Sequence, residues 1–136
     1  MSRAARVAGL AIFGLAVSCG GELISGPAAP PPAPLQLQVD GTSCEGAVFY
    51  TVGGIGTGPD GQLADFPYAI GFQAASGDAV TLRACNTCVL ACPTLPCDVT
   101  IRTTIVWQGR VLATSESTGP ADPSCLPETA VAATIP

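Results

Sequence analysis

The sequence predicts an all-β fold, an antiparallel β-sandwich, on three observations. Short runs of β-branched and aromatic residues recur between turn signals, which is how sandwich strands read. No stretch after residue 18 repeats its apolar residues at a helical period. Charged residues make up only 11% of the chain, while 16 glycines and 13 prolines punctuate it, a composition suited to short strands and many turns.

Leu35 to Val39 (LQLQV) alternates strictly and predicts a first, edge-like strand, ended by the turn signal Asp40-Gly41. Ala47 to Gly53 (AVFYTVG) is the strongest strand signal, rich in branched and aromatic side chains. Residues 53–65 read as a long glycine-rich loop. Phe66-Pro67-Tyr68 leads into a strand over 69–74, and Ser76-Gly77-Asp78 turns the chain. The strand over 79–85 (AVTLRAC) sets Val80 and Leu82 on one face. Val99 to Trp107 and Arg110 to Thr114 flank Gln108-Gly109, a two-residue hairpin turn in which glycine supplies a positive φ. A Gly/Pro-rich turn over 119–123 precedes a closing strand over 130–135.

The first 34 residues are not part of this pattern. Arg3 and Arg6 form a positive n-region, and Val7 to Val17 is an uncharged apolar run. That run is too short to span a bilayer, which needs about 20 residues, but it suits the h-region of a signal peptide. It ends in Leu15-Ala16-Val17-Ser18-Cys19-Gly20. This ending resembles the lipobox of bacterial lipoproteins, although the family prefers leucine where Ala16 stands. The resemblance implies a signal peptide over 1–18 and a mature chain that starts at an acylated Cys19. Two or more acyl chains hold a protein stably in a membrane, since each buried methylene contributes about 0.8 kcal/mol. In lipoproteins of double-membrane bacteria, aspartate after the cysteine accompanies inner-membrane retention. Gly20 stands there, which implies the outer membrane if the cell has two. Residues 19–34 are a Gly/Pro-rich tether, with five prolines among the eight residues from Pro27 to Pro34, which favours extended polyproline II. The sandwich domain is assigned to 35–136.

Loss of Arg3 and Arg6 with the leader leaves all ten acidic residues and moves the formal charge from −5 to −7. Such a surface repels nucleic acid, so the expected partners are a membrane, through the anchor, and an envelope protein of unknown identity. The matching residues Tyr50-Thr51-Val52-Gly53, Phe66-Pro67-Tyr68, Gly77, Trp107-Gln108-Gly109-Arg110 and Cys125 make the domain similar to the small sandwich of mycobacterial MmpS-type proteins. Those proteins carry a transmembrane helix instead of a lipid, lack the central cysteine insert, and have aspartate where Gln108 stands. The resemblance implies an immunoglobulin-like sandwich and an accessory role beside an envelope transporter. It carries over no catalytic residue.

Apart from Cys19, six cysteines remain: Cys44, Cys85, Cys88, Cys92, Cys97 and Cys125. An even number in an oxidising compartment reads as three disulfides, with fifteen possible pairings. If Cys85 ends one strand and Cys97 opens its hairpin partner, those two face each other. Cys88 and Cys92 then nest inside, and Cys44 joins Cys125. The alternative is a redox or metal-handling lipoprotein that uses the Cys85–Cys97 cluster, either as a four-thiolate set or as a redox pair at Cys85-x-x-Cys88. The spacing of this cluster matches neither zinc knuckles nor ferredoxin motifs. A redox pair also needs a helix N-terminus, for which Val89-Leu90-Ala91 is short.

Other motifs read blandly. Residues 56–61 match G-x-G-x-x-G, but no helix pattern follows to present free amides to a pyrophosphate. Asp60 and Asp65 are too few for a calcium site. Trp107, Tyr50 and Tyr68 read as core aromatics before ligand-stacking ones. The chain has no histidine, which excludes the serine–histidine and cysteine–histidine nucleophile systems. The expectation is a non-enzymatic structural, accessory or binding module, with no cofactor, in the bacterial cell envelope.

Overall fold

The computed structural model describes residues 30–88 and 98–136. The segment expected to be a signal peptide, Cys19 and most of the expected tether lie outside the described residues, as do Cys92 and Cys97. Nine strands and no helix make up the described part: β1 (Ala33–Gly41), β2 (Glu45–Val52), β3 (Ile55–Gly56), β4 (Gln62–Asp65), β5 (Tyr68–Ala74), β6 (Ala79–Asn86), β7 (Asp98–Trp107), β8 (Arg110–Pro120) and β9 (Glu128–Thr134). They form two antiparallel sheets. One runs β5-β1-β7-β8, and the other runs β3-β2-β6-β9 with β4 also paired to β2.

The alternation read in the sequence explains which side chains fill the space between the sheets. Leu35, Leu37 and Val39 of β1 are fully buried, as are Ile101 and Ile105 of β7. They form one cluster with Val48 of β2 and with Val80, Leu82 and Ala84 of β6. Each large aliphatic buried this way contributes about 2 kcal/mol. Trp107 belongs to this cluster, and Tyr50 and Tyr68 pack against it, so all three aromatics serve the core.

Several boundaries differ from the sequence reading. β1 starts at Ala33, two residues inside the expected tether, and sits centrally between β5 and β7, not at an edge. The loop expected over 53–65 contains β3 and β4, short pieces that cover successive parts of the β2 edge. Thr57 bridges the gap between them: its N–H donates to Tyr50 O at 2.9 Å, and its Oγ1 accepts from Tyr50 N at 3.0 Å. β8 runs six residues past the expected Thr114. Its Ser/Thr/Glu run looks like loop because one face is solvated, yet threonine hydroxyls pair across the ladder at Thr100–Thr118 (2.7 Å) and Thr104–Thr114 (3.3 Å). Such cross-strand pairs are a recognised source of sheet stability. The expected Gln108-Gly109 turn is present, with φ of 50° and 78° at its two residues.

β6 and β7, consecutive in sequence, belong to different sheets. The cysteine-rich stretch therefore links two sheets and is not the tip of a hairpin. Pro30 and Pro136 lie at the end of the sandwich marked by the Pro34–Gln108 and Gly77–Ile135 hydrogen bonds. Cys44, Asn86 and Cys88 lie at the opposite end.

Candidate functional site

The disulfides correct the expected pairing. Cys44 bonds Cys88, and Cys85 bonds Cys125. The expected Cys85–Cys97 bond is excluded because Cys125 takes Cys85, and the hairpin it assumed is absent because β6 and β7 lie in different sheets. The β2–β6 register instead aligns Cys44 with Cys88, two steps beyond the Gly46–Asn86 pair. Cys85 takes its partner from another direction. Val80, Leu82 and Ala84 face the core, so Cys85 points to the outer face of its sheet. There the β8–β9 connection covers it completely, leaving it 0% exposed. With Cys85 and Cys88 bonded to residues outside the cluster, neither the four-thiolate set nor the Cys85–Cys88 redox pair forms.

Asn86 organises this end of the domain, and its role was not visible in the sequence. It is fully buried. Its Oδ1 accepts from Ser43 Oγ at 2.6 Å and from Cys88 N at 3.2 Å, and its backbone N–H donates to Pro127 O at 3.1 Å. The side chain thus ties the β1–β2 loop to Cys88, and the backbone of the same residue ties β6 to the β8–β9 connection. Two hydrogen bonds from Ser124, backbone first and hydroxyl second, hold the exposed Asp122 carboxyl below its ordinary value. The sulfurs of Cys85 and Cys125 lie with a Glu128 oxygen within 4.8 Å of one another. In a disulfide those sulfurs are not thiolate donors, and Glu128 is engaged by Arg83. Asp60 and Asp65 belong to no such group among the described residues.

An open recess lies on the outer face of the β2-β6-β9 sheet. It is a groove of about 510 Å³, within the range of small-molecule sites. Its floor comes from residues that alternate outward: Thr51 of β2, Thr81 of β6, and Ala130 and Ala132 of β9. These side chains are small, so the floor is close to the backbone and mostly methyl. The Thr51 and Thr81 hydroxyls bond each other at 2.7 Å. Gly58 and Pro59, from the G-x-G-x-x-G stretch, form a wall. Phe49 and Arg83 close one end. The Arg83 guanidinium lies 3.9 Å from the Phe49 ring centroid, a cation–π arrangement, and Nη1 bonds Glu128.

Sequence reading saw the parts of this groove separately. It took 56–61 as a loop, which holds for 57–61 while Gly56 belongs to β3, and nothing indicated that Gly61 packs on Phe49. It read the closing segment over 130–135 without the register that places Ala130 beside Arg83. Comparison with family models, curated proteins and solved structures finds no match to this chain.

Proposed function

We propose that this chain is a bacterial envelope lipoprotein, anchored by acyl chains on Cys19, whose disulfide-bridged domain is a binding or accessory module and not an enzyme. One observation carries the reading: two disulfides occur in a domain preceded by an export-type leader that ends at a cysteine. Disulfides of this kind belong to oxidising compartments, and the leader supplies the route to one. In this reading the domain is an immunoglobulin-like sandwich. Its support is that β1 lies between β5 and β7, and β2 pairs with β6, the long-range connectivity typical of Greek keys.

The anchor sets an orientation. The described chain starts at the end opposite the disulfides, and the tether from Cys19 to Ala33, if polyproline II, reaches about 40 Å. The cysteine-rich end then faces away from the membrane, and the groove lies along the flank, open to a partner or ligand. The acidic surface argues against nucleic acid.

Intact mass of the native protein, before and after reduction and alkylation, tests this. We expect a mature N-terminus at acylated Cys19, six protected cysteines, and release of the protein from the membrane fraction in Cys19→Ser. A mature N-terminus elsewhere removes the anchor. Two or more alkylatable thiols in the unreduced protein would instead favour the redox or metal-handling reading.

A further inference from the structure

The groove on the β2-β6-β9 face has a property that its chain as a whole does not. The mature sequence is strongly acidic, with Arg83, Arg102 and Arg110 as its only cations. Arg102 is engaged by Asp40 and Glu116 on the other sheet, and Arg110 sits beside the hairpin turn. Arg83 is the one that lines a groove, and no carboxylate is among the groove's lining residues. We propose that this groove binds a small monocarboxylate with an apolar body, its carboxylate on Arg83 and its apolar part on the Ala130–Ala132 floor. The proposal rests on the binding-module reading and names the ligand class for it.

The chemistry follows from what each wall offers. The floor presents methyl groups, and its two hydroxyls share one hydrogen bond, which leaves a single O–H donor free between them. A sugar or other many-hydroxyl ligand would leave most of its polar groups unpaired on so few partners. The guanidinium carries five N–H donors, and its bond to Glu128 uses Nη1. The side chains of both Arg83 and Glu128 are 40% exposed, and an ion pair so exposed is weakly held. A ligand carboxylate can therefore share the guanidinium without breaking a buried bond. Phe49 holds the guanidinium plane from one side, so the donors are oriented before a ligand arrives. A cationic amphiphile would find no free carboxylate at the closed end, because Glu128 already pairs with Arg83, and so gains nothing there beyond its apolar part.

The test uses the full chain exported with Cys19→Ser, so that neither acyl anchor nor detergent can occupy the groove. Octanoate, octanol and octylammonium are titrated in turn while backbone amide shifts are followed by NMR. Octanoate should give saturable shifts centred on Thr81, Ala130 and Ala132, and bind more tightly than octanol. Octylammonium should bind no more tightly than octanol. Arg83→Gln should weaken octanoate by about tenfold, the worth of one charge-assisted hydrogen bond, and leave octanol unchanged. Ala132→Trp, which adds bulk at an exposed position, should abolish both and keeps the test decisive if Arg83→Gln unfolds. No saturable shift up to about 10 mM octanoate, beyond what ten heavy atoms need for binding, overturns the proposal. So does octanol or octylammonium binding as well as octanoate, or binding unaffected by Ala132→Trp. None of these readouts depends on the anchor, so failure of the lipoprotein reading shows separately, in the mature mass.

Discussion

Cys44 and Cys88 stand two steps beyond the Gly46–Asn86 pair of the β2–β6 ladder, with Cα atoms 5.9 Å apart. The bond between them continues a noncovalent ladder covalently, at the end where the chain leaves one sheet for the other. It closes a separation of 44 residues, for which the chain-entropy model gives about 4 kcal/mol. The double variant Cys44→Ser/Cys88→Ser should lose about 2–4 kcal/mol in denaturant unfolding, with Cys85–Cys125 intact by non-reducing peptide mapping. A loss under about 1 kcal/mol, or a native fragment joining Cys85 to Cys97, would contradict the arrangement described.

Tyr68 gives a second test. Its hydroxyl is buried and, among the described residues, has no hydrogen-bond partner. Burial first, and the nearby Tyr50 second, push its pKa above the ordinary value of 10.0. A folded pKa above the unfolded one means full stability below the unfolded pKa and loss as pH rises through the folded pKa. The protein should therefore weaken above about pH 10, and ultraviolet titration should show Tyr68 ionising late or only on unfolding. Tyr68→Phe removes an unpaired buried hydroxyl, so it should be neutral or stabilising by up to about 1 kcal/mol at pH 7. A destabilisation above about 1 kcal/mol would reveal a partner for the hydroxyl.

The Arg102 pairs should matter much less than their geometry suggests. Arg102 Nη1 lies 3.0 Å from Asp40 and Nε lies 3.0 Å from Glu116, bridging β1, β7 and β8. All three side chains are 40–50% exposed, and exposed pairs contribute about 0–1 kcal/mol. Arg102→Ala should cost no more than that, and the cost should shrink further in 0.5–1 M salt, where charges are screened within a few ångströms. A loss above about 2 kcal/mol that persists in high salt would mean that the aliphatic stem, not the charge, supports the sheet.

How much of this was legible in the sequence follows a physical divide. Period-2 alternation is local, so Leu35, Leu37 and Val39, or Val80 and Leu82, announce their shared face without knowledge of any partner. The Gln108-Gly109 turn is equally local. Which strands pair is not. Nothing between Asn86 and Asp98 states that the chain changes sheets, and the hairpin assumed there produced the wrong cysteine partners. β8 was cut short because Ser115 to Thr118 satisfy a solvated face and a ladder at once, and only the ladder reveals the strand. The groove escaped notice for the same reason: Phe49, Pro59, Arg83 and Ala132 are brought together by register and by the fold of one loop, while each alone is an ordinary strand or loop residue.

Gly61 is where that loop is held to the sheet, and it offers the sharpest contrast between neighbouring glycines. Its φ is +69°, and a Cβ placed there would lie 2.6–2.9 Å from three atoms of the Phe49 ring. The ring also carries the Arg83 guanidinium, so its retreat would disturb the closed end of the groove. Gly58, three residues earlier, has no heavy atom within 4 Å of such a Cβ. A left-handed residue with a side chain costs about 1–2 kcal/mol, and displacement of the ring adds to it. Gly61→Ala should therefore lose about 1–3 kcal/mol and shift the Phe49 ring and Arg83 side-chain resonances. Gly58→Ala should stay within about 0.5 kcal/mol, helped by the reduced freedom of the unfolded chain. Equal effects from the two substitutions, or a Gly61→Ala protein with Phe49 and Arg83 resonances unmoved, would show that the loop does not rest on Phe49.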